Sequence, residues 1–286
     1  MSLTTTTPLT LPKRRSNRRQ KTLWGIAFCA LFLLAIIVSP WVMGDAGLGP
    51  MLSQRNQPPA LAHPFGTDWL GRDMLSRSLH GMSLSLRIGL LAAAISALFG
   101  TGLGLAAGTL GGWVDAVITW IIDVFFSLPH LVLLILIAFA AGGGTTGVII
   151  AVALTHWTSL ARVIRAEVLQ VNGSDYVQLS HRLGRSPLWI ARHHMVPHII
   201  PQLLVGLILL FPHAILHEAA LSFIGIGLSP HIPAIGIILA ESMRHLSTGY
   251  WWLGVMPGLL LLLSVKAFDW LGENVRTLLD PKTSQG

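Results

Sequence analysis

Charge is scarce in this sequence. Only 11% of its 286 residues are Asp, Glu, Lys or Arg, against roughly a quarter in soluble domains, which excludes an ordinary solvated globule. Cysteine is almost missing. Cys29 stands alone inside an apolar run, so neither a disulfide framework nor a cysteine metal site can be built. There is no GxxxxGK[ST] phosphate-binding loop, and the serines and histidines suggest no hydrolytic triad. The chain is therefore expected to hold no catalytic residue and no energy source of its own. Acids are absent from the first 22 residues, where Lys13, Arg14, Arg15, Arg18, Arg19 and Lys21 cluster before the first apolar run. Such a cluster holds an N-terminus in the cytoplasm, and it accounts for much of the net charge of +7 without a nucleic-acid partner.

What the chain has is hydrophobic length. About 20 apolar residues cross a bilayer core, and six runs meet that need: roughly 23–43, 84–110, 114–141, 146–168, 198–222 and 251–271. The fold class expected is an all-α membrane protein with six transmembrane helices. The run from Leu23 to Met43 is too long for a signal peptide's core and lacks a small-x-small cleavage site, so it reads as a retained span. An even number of crossings returns the C-terminus, with Arg276 and Lys282, to the cytoplasm. Segments 44–83 and 223–250 then lie outside and 169–197 inside. The run Ile235–Ala240 is too short to cross, and 223–250 reads as an external loop or a short re-entrant segment.

Three features within the spans carry alternatives. Gly100, Gly104, Gly108 and Gly112 recur every fourth residue and predict one smooth helix face, for static packing or for a sliding contact. The overlapping GLGLAA from Gly102 matches a dinucleotide fingerprint by chance, because it follows no strand and lies in a span. Asp115 and Asp123 enter the third span, with Pro129 beyond. They read as partners of basic neighbours or as an ion relay.

Residues 172–201, NGSDYVQLSHRLGRSPLWIARHHMVPHIIP, form a polar, basic island between the fourth and fifth spans. A short amphipathic helix, a glycine and a second segment reaching Pro197 make a docking element. Tyr176, Leu179 and Leu183 can seat in a partner's groove. YVQLSHRLG, with Val196-Pro197 twelve residues on, resembles the EAA loop of importer-type ABC permeases. Gln178, Leu179 and Ser180 replace the usual Glu-Ala-Ala, while Tyr176, Gly184 and Pro197 are kept. HPFGTDWLGRDMLSR (63–77) resembles the external GTDxxGRDxxSR signature of dipeptide, oligopeptide and nickel permeases. GGWVDAVITWIIDVFFSLP (111–129), AALSFIGIGL (219–228) and FDWLGENVRTLLDP (268–281) are similar to the C-type subunit of that family.

The resemblance implies an importer-type ABC permease with a cytoplasmic coupling helix in the bacterial inner membrane. It divides the chain into a basic tail (1–22), a first span with its external segment (23–83) and a permease domain (84–286) whose EAA-like loop is 173–197. It also implies a homologous B-type permease, two ATPase subunits that use ATP and Mg²⁺, and an extracytoplasmic solute-binding protein. No cofactor is expected on this chain.

Histidine bears on the cargo. Twelve are present, and His213 and His217 share a helix face at i, i+4, a spacing that can offer two imidazoles to Ni, Co or Zn. HAILHEAALSF (213–223) and His156-Trp157 are similar to stretches of the family's nickel permease. The substrate path expected is His156, His213, His217 and Glu218, with nickel or a nickel chelate as cargo and peptides as the alternative. No permanent metal site is expected, since a pathway must release what it binds. An ion-coupled secondary transporter is the rival from another class, resting on Glu218 and Asp123. A membrane-bound metal enzyme lacks the clustered ligands it needs.

Overall fold

The computed structural model describes residues 18–229 and 231–279. Lys13, Arg14, Arg15, Pro230 and Lys282 lie outside the described residues, and of Arg18, Arg19 and Lys21 only the backbone is described. Apart from one isolated bridge between Thr67 and Asp73, the regular structure among the described residues is helical. The long helices are α1 (Arg18–Met43), α2 (Met74–Leu110), α3 (Gly112–Ser127), α4 (His130–Ala140) and α5 (Gly144–Asn172). After them come the short α6 (Asp175–Arg182) and α7 (Pro187–Ile190), then α8 (Val196–Ile224), the short α9 (Ile235–Met243) and α10 (Trp252–Leu279).

Among the described residues five helices are long and apolar enough to cross a membrane, and the count is six if α3 and α4, a pair bent by 102°, are taken as one span. The expected third span is thus broken, not straight. Leu128 is extended (φ −95°, ψ 144°) ahead of Pro129, because a proline ring disfavours helical geometry in the residue before it. Trp24 and Trp41, 76% and 69% exposed, mark the two ends of α1. Their seventeen-residue separation is about 26 Å along a helix, close to the thickness of a bilayer core.

The core is organised by small residues. A Cβ on Gly100 or Gly104 would lie 2.6 Å from the Trp157 carbonyl oxygen or 2.5 Å from that of Ala161, and one on Gly108 2.6 Å from Val168. Rising numbers meet rising numbers, so α2 and α5 run parallel, with backbones too close for any side chain between them. Gly112 does not belong to this face. Its φ of +53° and open surroundings place it in the turn that starts α3.

At one end of the bundle, segment 44–73 folds over α9 and the start of α10. Asp68 is fully buried and accepts from the Leu70 and Arg72 amides (2.8 and 2.9 Å), Arg72 Nε (2.6 Å) and an Arg77 guanidinium nitrogen (2.8 Å). Arg77, 5% exposed, reaches Glu241 at 2.8 Å across 164 residues. Asp73 caps α2 through the Ser76 amide and takes a 2.8 Å hydrogen bond from His63. Trp252 Nε1 donates to the Thr67 carbonyl at 3.2 Å. The segment 223–250 is accordingly no plain loop. Its α9 buries Ile235, Ile237 and Ile238, and Gly236 lets it press against Ala219 of α8.

Candidate functional site

Two places gather the residues singled out by the sequence. The first is the link between α5 and α8, at the opposite end of the bundle from Asp68. α6 ends in a Schellman motif. Arg185 N–H donates to the Ser180 carbonyl at 3.1 Å and Gly184 N–H to the His181 carbonyl at 3.0 Å. Gly184 holds φ +76°, which a glycine adopts without penalty. Val177 is fully buried in the core and anchors one face of α6, and Ile190 does the same for α7. The other face of α6 carries Tyr176, Leu179 and Leu183 at 51%, 57% and 72% exposure, and Leu188 beside it reaches 80%. Spaced i, i+3, i+7, the first three form one apolar ridge. Gln178 donates to the Asn172 carbonyl at 2.8 Å and Ser180 to the Tyr176 carbonyl at 3.0 Å, both local bonds that shape the loop. Pro197 occupies the start of α8, inside a helical run that is continuous from Pro187. The next residues back, Ala191–Met195, are a π-helical turn that carries the chain from α7 into α8.

The second place lies within the spans. His156 on α5 and His217 on α8 lie side by side, and His130, the first residue of α4 and unmarked in the sequence, completes a cluster with them. Ring centroids are 4.8–5.0 Å apart across all three pairs. The bend at Pro129 delivers His130 there, and a straight third span gives no hint of it. His213 is exposed one turn before His217 and is not a member of the close group. Glu218 turns elsewhere: fully buried, it accepts from Ser222 Oγ at 2.8 Å.

The two acids of α3 are paired. Asp115 receives both a guanidinium N–H at 2.6 Å and the Nε–H of Arg165 on α5, and Asp123 pairs with Arg162 at 3.1 Å. These pairings favour the structural reading of both acids over the relay.

Fold and side-chain placement together define a polytopic helical membrane protein with a protruding helical link between its α5 and α8 spans. Among solved structures, the inward-facing MetNI methionine ABC transporter is similar in fold, with TM-score 0.58, 17% identity, 72% of this chain and 98% of that chain covered. Residues 100–283 match the family described as binding-protein-dependent transport system inner membrane component, and the chain belongs to that family. It is 36% identical to a putative peptide transport system permease protein of Brucella suis biovar 1 (strain 1330), over 96% of this chain and 92% of the relative. It is 33% identical to the dipeptide transport system permease protein DppC of Bacillus subtilis (strain 168), covering 94% and 84%. The probable D,D-dipeptide transport system permease protein DdpC of Escherichia coli (strain K12) is 35% identical, covering 91% and 87%. The chain is thus a permease subunit of an ABC importer. Nickel, the cargo expected from the histidines, is not supported by these relatives, whose names fit the peptide alternative better.

Proposed function

We propose that this chain is one of two membrane permease subunits of an importer that carries dipeptides or oligopeptides into the bacterial cytoplasm. Near full-length identity of 33–36% to permeases named for peptides carries the reading. A solute-binding protein delivers the peptide to the outer end, where segment 44–73 and α9 lie. A homologous B-type permease completes the pathway, and two separate ATPase subunits use ATP and Mg²⁺.

The α6–α7 link faces the cytoplasm, together with both termini. The ridge of Tyr176, Leu179 and Leu183 leaves apolar area in water that a partner groove recovers. It docks on an ATPase subunit, and Val177 and Ile190 tie that contact rigidly to the spans. ATP binding draws the two ATPases together, the link moves with them, and the cavity opens outward. Hydrolysis resets it. Coupling of this kind requires the docked link to distinguish two states of the spans.

The test is uptake of a labelled dipeptide by cells expressing the intact transporter, with excess unlabelled peptide or Ni²⁺ as competitor. ATP-dependent uptake blocked by peptide and untouched by Ni²⁺ is the expected result. Labelled nickel entering in place of peptide would overturn it.

A further inference from the structure

We infer that His130, His156 and His217 form a binding site for one late first-row divalent transition-metal ion, of the Co²⁺, Ni²⁺ or Zn²⁺ class, between α4, α5 and α8. One nitrogen from each ring lies within 4.8 Å of the other two. A tetrahedral ion at about 2.0–2.1 Å from each ligand needs these nitrogens roughly 3.3 Å apart, a closure within reach of small rotations about the histidine side-chain bonds. The rings meet at 58–78°, tilted instead of stacked, so their edges converge.

His156 supplies the second, independent observation. Its Nδ1 lies 3.0 Å from the Val152 carbonyl oxygen, which can only accept, so Nδ1 carries the proton. Nε2 is then the lone-pair nitrogen. It is fully buried and has no hydrogen-bond partner, on a residue only 7% exposed. An unpaired buried acceptor costs free energy, and ligation by a metal satisfies it. A backbone carbonyl that fixes the tautomer of a ligating histidine is the usual outer support of such a ligand. The convergent group holds these three histidines and no carboxylate. Three neutral imidazoles suit Co²⁺, Ni²⁺ or Zn²⁺ better than Mg²⁺ or Ca²⁺, which take oxygen ligands. His130 is the exposed member of the three, and three protein ligands leave a fourth position for water or an anionic donor.

The inference does not rest on peptide transport, and the experiment separates the two. The assembled complex, purified without a polyhistidine tag and without peptide, is titrated with Co²⁺, and the visible d–d absorption of tetrahedral cobalt is followed. One Co²⁺ per copy of this chain is expected, displaced by Zn²⁺. His217→Ala and His130→Ala should each weaken binding at least tenfold while the complex still assembles and hydrolyses ATP. His130 is exposed and tolerates replacement even where a change at His156 disturbs folding. His181→Ala/His193→Ala, in the α6–α7 link, should bind as the parent does. Cobalt binding that is absent from the parent, or equal in parent and His130→Ala, would overturn the site.

Discussion

The two ends of this bundle solve opposite problems. At the Asp68 end, every charge of the motif 63–77 is turned inward. The buried carboxylate takes four donors, and Arg77 carries the network on to Glu241. At the α6 end, apolar side chains are turned outward, and Tyr176, Leu179 and Leu183 each leave half or more of their surface uncovered. Internal satisfaction marks a structural lock, and unsatisfied apolar surface marks a place for another molecule. The lesson concerns motifs. Both stretches resemble a family signature, yet one is bonded within the chain and the other keeps apolar surface uncovered.

The contrast can be broken by mutation. The largest effect should come from the lock. Arg77→Ala leaves the fully buried Asp68 with a lost partner and should cost about 3–5 kcal/mol, read as loss of the protein from the membrane fraction and a lowered unfolding midpoint of the purified chain. Near-normal membrane levels would mean that Asp68 is held by its backbone donors and Arg72 alone.

Next in size is the link. Gly184→Pro forces φ from +76° to the negative value a proline ring imposes and removes the N–H that closes α6. Peptide uptake should fall to background while the membrane level of the protein is unchanged. Normal transport by this variant would count heavily against docking through α6.

The smallest effects sharpen the comparison between partly buried and exposed pairs. Arg165→Ala breaks a two-bond pair with Asp115 and should lower stability measurably. Arg162→Ala removes a pair whose side chains are 54% and 64% exposed and should change stability by at most about 1 kcal/mol. Thermal unfolding of the two variants side by side gives the ranking, and equal shifts would mean that burial does not govern either pair.

Much of this was readable in the chain. The six runs correspond to α1, α2, the α3–α4 pair, α5, α8 and α10, because a bilayer demands about 20 apolar residues per crossing and the demand is local. Three of the four spaced glycines meet α5 as a ridge should, since periodicity on one helix needs no knowledge of its neighbour. The short helix of 172–197 and its stop at Gly184 were legible for the same reason, whereas the second segment's helical form, begun at Ser186 and Pro187, was not read from the sequence.

What escaped the sequence depends on distant contacts. Gly112 continues the spacing and yet leaves the face, because α2 ends at Leu110, two residues before it. The 102° bend at Pro129, the Arg77–Glu241 bridge across 164 residues and the parallel course of α2 and α5 are set by packing. His130 is the plainest case. Alone at the head of α4 it has no motif, and it meets His156 and His217 only because the bend brings α4 against α5. Sequence alone determined where this chain has membrane-length apolar runs and where a polar, basic link interrupts them, since both follow from the hydropathy and turn chemistry of neighbouring residues. Only the tertiary structure decided which charges cancel and which imidazoles converge, because those outcomes are fixed by distances between helices that no local pattern encodes.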